Sequence, residues 1–383
     1  MNYSIINLLW LNSGIDIYTP HRREFLEELS SHEKIKFHTI SDINITLETH
    51  YLNKLNEYIK KEKIDFVLIE PWHLIPSRLD ESFFNANIIY NKNLRSNCSF
   101  LNNNLNKIEC NKILLGPWLD IHNLTDQDTN NLIGFLENRN YLYSIPTNNI
   151  NYEIPNQLMG KRKMTQNYKK IDIYGKFKTN FIPYIHSFSE NKLITKEFIF
   201  NVPGSLGSYP GRKSFLESMM SNKNIVPDSY WLIFDHQRET HKKIQETKDP
   251  KYLFLSNYYY NDLIAKSKYN YVDGGVMNYP IRKYIEVPSL GSVILSPEIP
   301  ALKELGLEKD IHYILAGGDI SLEDLINEIS EDKYNSVLSS SRELIFSLHT
   351  NKKRIDDFIT SIQKINMKEY IGSEYKKGIF SMF

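Results

Sequence analysis

The sequence predicts an α/β protein of two domains, each a parallel sheet with helices on both faces. Two observations carry this prediction: the length of 383 residues, and the alternation of apolar runs with amphipathic segments in both halves. Single hydrophobic cores stop growing at roughly 250 to 300 residues, so a chain of this length is expected to divide. Alternating strands and helices are typical of parallel sheets joined by right-handed crossovers.

The first half alternates from its beginning. Short apolar runs predict buried strands, and segments with apolar residues at helical spacing predict helices. Strands are predicted at 5–11, 35–40, 65–71, 112–120 and 141–146, and helices at 21–31, 50–63 and 128–139. Between 148 and 192 the pattern weakens and Asn, Lys and Tyr dominate. We therefore expect a first domain at 1–165 and a linker that leads into the second.

The second half repeats the alternation. Strands are predicted at 197–202, 230–235, 269–273, 292–296 and 312–316, with helices between them and beyond 322. A doubly wound sheet is the expected result. The last predicted helix, 352–375, is long enough to reach back to the first domain. We therefore divide the remainder into a domain at 166–355 and a C-terminal helix at 356–383 that packs on the first domain.

Composition excludes several classes of protein. The 46 basic and 46 acidic residues cancel, so no overall charge attracts nucleic acid or an anionic membrane. Cys98 and Cys110 are the only cysteines, and their spacing fits no metal site. No apolar run approaches the roughly 20 residues of a membrane-spanning helix. These features predict a cytoplasmic protein with reduced thiols, which leaves room for peripheral contact with the inner face of the membrane.

The segment 269–305 carries the strongest functional pattern. A strand ends at Gly274 and Gly275, and Pro280 is predicted to open a helix whose first turns contain Glu286 and two candidate cations, Arg282 and Lys283. Cations at a helix start can hold phosphate oxygens. A carboxylate repels phosphate, so Glu286 is expected to accept hydrogen bonds from sugar hydroxyls. Together these roles suggest a nucleotide sugar, and the alternative is an amphipathic helix with solvated charges.

A second segment, 198–219, has the same chemistry. Three glycines surround Ser208, Tyr209 and Arg212, and Lys213 follows in the first turn of the next predicted helix. Backbone N–H groups, a hydroxyl and a guanidinium could grip a diphosphate. The alternative is a glycine-rich turn with solvated cations. Neither a P-loop lysine motif nor a dinucleotide-binding glycine motif is present, which disfavours kinases and dehydrogenases.

These segments resemble a known family. RKYIEVPSLGSVIL at 282–295 is similar to the R-x-x-E segment of group-1 glycosyltransferases with the GT-B fold, especially the CgeB-like group; exostosin-like and CAP10-like transferases carry related segments. FIFNVPGSLGSYPGRKSFLESM resembles the start of their donor-binding half. Further likenesses at 307–329 and 348–359 bring the resemblance to about half of the chain.

The resemblance implies two Rossmann-like domains that face a central cleft. Together, the two segments and the resemblance predict these donor contacts: Ser208, Tyr209, Arg212, Lys213, Gly274, Gly275, Arg282 and Glu286. In relatives, the acid at the position of Glu286 contacts donor hydroxyls and the Arg at the position of Arg212 contacts the diphosphate. The second acid of many retaining members is replaced by Asn278. Retention of anomeric configuration is therefore not implied.

Catalytic and metal-binding residues are less clearly indicated. An inverting transferase needs a general base near the acceptor, and strand ends of the first domain offer Asp120, Asp16 and His21, in that order of preference. His21 could instead cap the helix that follows Pro20. Asp126 and Asp128 precede a predicted helix and are interpreted as capping charges rather than metal ligands. We therefore expect neither metal nor other cofactor.

The sequence thus predicts a cytoplasmic glycosyltransferase that moves a sugar from a nucleotide diphosphate donor to a glycan or lipid-linked glycan. Two alternatives remain open from the sequence. One is a non-catalytic protein that binds a nucleotide sugar or carbohydrate, and the other is a two-domain sugar-nucleotide epimerase.

Overall fold

A computed structural model of the chain describes fourteen segments: 5–11, 20–43, 51–69, 104–110, 112–115, 141–143, 181–182, 193–204, 210–221, 261–275, 280–317, 320–367, 369 and 373–382. Mixed α/β structure with parallel sheets runs through both halves. Within these segments, no helix combines the length and apolar character needed to cross a membrane.

The first half forms a parallel sheet of six strands in the order β2-β1-β3-β4-β5-β6. Its strands are β1 (Ile6–Leu11), β2 (Ile35–Thr39), β3 (Phe66–Ile69), β4 (Ile113–Leu115), β5 (Tyr141–Tyr143) and β6 (Phe181–Ile182). Its helices are α1 (Pro20–Ser30), α2 (Ile40–Ile43) and α3 (Leu52–Lys61), with a 3-10 turn at Leu105–Lys107. The strand order reverses direction at β1, as in doubly wound sheets. The predicted helix 128–139 lies outside the described residues.

In the described part of the second half, four strands form a parallel sheet in the order β10-β9-β8-β7. They are β7 (Phe198–Asn201), β8 (Ser267–Tyr271), β9 (Val293–Ser296) and β10 (Ile314–Leu315). The associated helices are α4 (Pro210–Ser221), α5 (Lys283–Ser289), α6 (Leu322–Glu328) and α7 (Glu331–Leu348), with a 3-10 turn at Pro300–Lys303. The predicted strand 230–235 lies outside the described residues.

Helices cover both faces of this second sheet. Consecutive residues of a strand point to opposite faces. Accordingly, Ile294 belongs to a core cluster with Tyr284 of α5, whereas its neighbour Val293 belongs to a different cluster with Phe215 of α4. All four residues of β9 are buried, because helices cover the sheet on both faces. Such strands are read in a sequence as continuous apolar runs.

Helix α8 (Asn351–Met367) connects the second half to the first sheet. Its apolar side chains recur at helical spacing and form one stripe. The stripe comprises Ile355, Phe358, Ile359, Ile362 and Ile365. It shares a hydrophobic core with Leu8 of β1 and Phe66 of β3. The chain therefore crosses back to its first sheet after leaving the second.

The end of the chain differs from the prediction of a helix over 352–375. The helix ends at Met367, and β11 (Ser373–Lys376) and β12 (Ile379–Met382) form an antiparallel hairpin. Lys377 and Gly378 have φ values of 51° and 77°. Positive φ at both central residues is the conformation that two-residue hairpins prefer. The prediction extended the helix too far, because the turn at Lys377 and Gly378 pairs residues 373–376 with residues 379–382 as strands.

Candidate functional site

The candidate site lies at the carboxyl ends of β7 and β8. The chain leaves β7 through Gly204 and enters α4 at Pro210, and it leaves β8 through Asp273 and Gly275 before α5 begins. Carboxyl ends of parallel strands are where such sheets bind ligands. Neighbouring strands therefore deliver the loops that carry the predicted residues to one edge.

Arg212 and Asp273 form a buried ion pair at this edge. Their side chains are 1% and 6% exposed, and Nε of Arg212 lies 3.2 Å from Oδ1 of Asp273. The backbone N–H of Arg212 donates a hydrogen bond of 3.0 Å to Oδ2 of the same carboxylate. Burial raises the pKa of Asp273, whereas the Arg212 charge and hydrogen bonds from the backbone of Arg212 and Gly275 oppose the rise. The carboxylate thus ties the first turn of α4 to the loop after β8.

Lys283 brings a second cation beside Arg212. A methyl group at Gly204 would lie 2.8 Å from Nη1 of Arg212 and 3.1 Å from Nζ of Lys283, so both charged groups face this glycine. Gly204 has a φ of 100°, a conformation that side chains strongly disfavour. Burial, with the nearby Arg212 charge as second cause, lowers the pKa of Lys283 to about 7. Two cationic side chains therefore lie next to Gly204, where no side chain separates them from the backbone.

Arg282 and Glu286 extend the charged cluster. Nη1 of Arg282 lies 3.6 Å from Oε1 of Glu286, and the two residues are four apart in sequence. Glu286 is only 6% exposed although it lies in the first turn of α5. All four neighbouring charges, from Arg212, Arg282, Asp273 and Glu286, act on Lys283. Three cations and two acids therefore make one electrostatic unit.

A stacked pair of aromatic rings lies next to these charges. Tyr271 stacks on Phe215 of α4 with ring centroids 4.2 Å apart. The Tyr271 hydroxyl would be 3.1 Å from a methyl group at Gly211 and 2.7 Å from one at Gly317. Burial raises the pKa of Tyr271, so the hydroxyl is neutral. Apolar surroundings strengthen the interactions of the charged cluster because they lower the local dielectric constant.

The structure corrects the predicted start of the helix after β8. Pro280 does not occupy the first helical position, since α5 begins at Lys283 with Arg282 as its N-cap. Residues Tyr284 to Ser289 are all buried, so the alternative of a helix with solvated charges does not describe Glu286. The expectation of open N–H groups at the start of α4 also changes, because Asp273 already accepts the N–H of Arg212.

The structure brings five of the predicted donor-contact residues to this edge. They are Arg212, Gly274, Gly275, Arg282 and Glu286. Lys213 differs, since its side chain is 63% exposed and its nearest ion-pair partner is Glu217 at 3.7 Å. Ser208, Tyr209, Asp16 and Asp120 lie outside the described residues, as does the side chain of His21, whose backbone belongs to α1.

Sequence reasoning missed Asp273 and did not separate Lys283 from Arg282. An acid directly before two glycines at a strand end was the available signal for Asp273.

His349, a further residue in the resemblance, is fully buried, and its Nε2 donates to the Leu305 carbonyl at 2.8 Å. Arg354 donates to its Nδ1, so His349 has a structural role in the core. Within the described residues, no group of His, Cys, Asp or Glu side chains is arranged to hold a metal.

Comparisons with known proteins show similarity at the level of structure. No family model matches the chain, and no curated protein matches its sequence. A glycosyltransferase from Rickettsia africae superimposes with a TM-score of 0.52 at 12% identity, over 96% of this chain and 100% of that one. Sucrose-phosphate synthase from Thermosynechococcus elongatus gives a TM-score of 0.51 at 9% identity, over 95% and 100%. The predicted α/β class is thus confirmed, and the chain shares its fold with these two proteins.

Proposed function

We propose that the protein is a glycosyltransferase that takes a sugar from a nucleotide diphosphate donor. The observation that carries the proposal is the cluster of the buried Arg212 with the partly buried Lys283 and Arg282 at the carboxyl edge of the second sheet. With Lys283 protonated, three positive charges face the two negative charges of Asp273 and Glu286. The cluster then has a surplus of one positive charge in a largely buried place, which favours an anionic ligand.

The cations match the chemistry of a departing diphosphate. Negative charge builds up on the leaving group as the bond to the sugar breaks, and donors fixed in advance stabilise that charge. A guanidinium held by Asp273 is fixed in this sense, because its geometry is set before the ligand arrives. Lys283 adds a compact charge beside it. These residues supply positive charge without a divalent ion, and we therefore propose a reaction that is independent of metal.

Glu286 would orient the donor. Its carboxylate cannot approach phosphate oxygens, but its two oxygens can accept hydrogen bonds from neighbouring sugar hydroxyls. The Arg282 side chain, with Nη1 at 3.6 Å from Oε1, places a positive charge beside that buried carboxylate. A hydroxyl pair bound here would place the diphosphate toward Arg212 and Lys283. The division of roles between acid and cations is what a nucleotide sugar requires.

The remaining parts of the proposal concern the acceptor. The first sheet would hold a glycan or lipid-linked glycan across a cleft between two Rossmann-like domains, in the cytoplasm or at the inner face of the membrane. Asp120, Asp16 or His21 would serve as the general base, since all follow or lie near predicted strand ends of the first domain. Closure of the cleft would exclude water, which otherwise competes with the acceptor.

Turnover of nucleotide sugars tests the proposal. Uridine, guanosine and thymidine diphosphate sugars are supplied with candidate acceptors, and release of nucleoside diphosphate is measured with and without EDTA. We expect one donor class to turn over, unaffected by EDTA, and Arg212→Lys to reduce kcat/KM by about 100-fold, as loss of a fixed donor typically does. Binding without release would instead favour a nucleotide-sugar sensor.

A matched control separates chemistry from folding. Arg354 is also a buried arginine, with its Nη1 3.2 Å from Asp357, and it lies in α8 rather than at the candidate site. Arg354→Lys disturbs a comparable buried ion pair, so it should reduce stability and leave kcat/KM of the folded fraction unchanged. Equal losses of kcat/KM in the two variants would contradict the proposed role of Arg212.

A further inference from the structure

Asp273 makes several contacts within the charged cluster, although a carboxylate does not itself attract an anion. One oxygen accepts the Arg212 backbone N–H at 3.0 Å, and the other lies 3.2 Å from Nε of the same residue. The backbone N–H of Gly275 also donates to this carboxylate. The residue is 4% exposed. One side chain thus joins the start of α4, its guanidinium and the turn after β8.

Direct contact with a phosphate is excluded for Asp273 by its charge. Two carboxylate oxygens would repel the oxygens of a diphosphate, so an isolated acid at this edge should weaken anion binding. Its contacts point to a different effect. Nε of Arg212 lies 3.2 Å from Asp273, whereas Nη1 of the same planar guanidinium faces Gly204 and Lys283. The acid therefore holds the backbone of Arg212 and lies beside one side of its guanidinium, which leaves the Nη1 side toward Gly204 and Lys283.

We propose that Asp273 is a positioning residue that holds the Arg212 guanidinium and the start of α4 in place for a diphosphate. The proposal rests on the proposed function, since it assigns this residue a part in binding the same donor. It predicts that neutralising Asp273 weakens the binding of an anion. Simple electrostatics predicts the reverse, because removal of a negative charge should strengthen it.

The influence on Lys283 follows from the charges around it. Burial and the charges of Arg212 and Arg282 lower the pKa of Lys283, whereas those of Glu286 and Asp273 raise it. The balance leaves a pKa of about 7. If the protonated form binds the diphosphate, affinity must fall as the pH rises above that value. Loss of the Asp273 charge lowers the Lys283 pKa further, so the fall should begin at a lower pH.

Two variants perturb Asp273 in different ways. Asp273→Asn removes the charge at nearly constant shape. Gly211→Ala keeps the charge but would place a methyl group 2.7 Å from Oδ2 of Asp273, so the carboxylate must move. Gly211 lies in α4, where alanine is a better helix former than glycine. This second variant therefore displaces Asp273 without lowering the intrinsic stability of the helix.

Calorimetric titration with UDP and with GDP, between pH 6 and pH 8.5, measures the effect. The terminal phosphate of these nucleotides has its last pKa near 6, so above pH 7 their charge changes little. For the wild type, a Lys283 pKa of about 7 implies that affinity falls about fivefold from pH 7 to pH 8. We expect both variants to bind at least about tenfold more weakly at pH 7. In Asp273→Asn the decline should also start at lower pH.

Asp357→Asn is the matched control, because Asp357 also pairs with a buried arginine, Arg354, in α8. It should change neither the affinity nor its dependence on pH. Tighter or unaltered binding by Asp273→Asn and Gly211→Ala would overturn the positioning role. If Arg212→Lys weakens binding while those two variants do not, only the role of Asp273 fails. If neither of these nucleotides nor TDP binds the wild type, the proposed function fails with it.

Discussion

Lys283 offers the sharpest test of the electrostatics at the candidate site. Its pKa is lowered from 10.5 to about 7, chiefly by burial, so the ammonium form is unfavourable in the folded protein. Near pH 7 the unfolded chain holds this proton fully and the folded chain holds it about half the time. A group that binds its proton less tightly when folded destabilises the fold at low pH, and this cost disappears as the pH rises toward 10.5.

Lys283→Met should therefore stabilise the protein. A shift of 3.5 units, from 10.5 to about 7, corresponds to a ceiling of about 4 kcal/mol at pH 7. Lys283 keeps part of its contact with water, so about 2 kcal/mol is expected. The gain should shrink to about half by pH 9, because the free-energy cost of releasing the proton on folding falls as the pH approaches 10.5. Binding of a nucleoside diphosphate should weaken about 10- to 100-fold, as expected for a lost charge-assisted hydrogen bond.

Urea denaturation of both proteins at pH 7 and pH 9 gives the free energies of unfolding. Lys309→Met is the control, since Lys309 is 50% exposed and its removal should add no stability that depends on pH. A Lys283→Met protein that is less stable than the wild type at pH 7, or whose gain in stability is equal at both pH values, would refute the reasoning. Such a result would mean that the ammonium is already stabilised by its neighbours.

Two further predictions concern other residues. Gly204→Ala would place a methyl group 2.8 Å from Nη1 of Arg212 and 3.1 Å from Nζ of Lys283, at a φ of 100°. We expect a loss of about 1 to 3 kcal/mol in stability and at least tenfold weaker binding of UDP or GDP, measured by thermal unfolding and calorimetry; unaltered binding would place the ligand elsewhere. Burial and Arg354 lower the pKa of His349 to about 3, so stability present above pH 6.5 is lost as the pH falls toward 3. His349→Gln cannot take up this proton, and its unfolding free energy should decline less than that of the wild type between pH 6.5 and pH 4.

The parallel sheets were predictable because their signal is local. Runs such as LLWL at 8–11 and VIL at 293–295 are continuously apolar, and the structure places Leu8 and Ile294 in buried strands. Such runs are typical of strands covered on both faces. Arg212 and Glu286 could be selected for a similar reason, since each stands at a fixed distance from a glycine or proline in a recognisable segment. Local sequence patterns were therefore enough to predict the class of fold and some of the residues at the candidate site.

The pairing within the site could not be predicted from local pattern. Arg212 and Asp273 are 61 residues apart, and they meet only because β7 pairs with β8 in a particular register, with Asn201 opposite Asn270. Two adjacent cations, Arg282 and Lys283, could not be distinguished either. Their exposure depends on where α5 begins, and a proline three residues too early gave the wrong start. Contacts of this kind are fixed by tertiary structure and not by spacing.

A crystal structure of the protein with a bound nucleoside diphosphate tests the central claim most directly. We predict that the two phosphates lie within hydrogen-bonding distance of the Arg212 guanidinium and the Lys283 amine, and that the Glu286 carboxylate faces hydroxyl groups rather than phosphate oxygens. A diphosphate bound at another edge of the sheet, with Arg212 and Lys283 still packed as they are without ligand, would contradict the account.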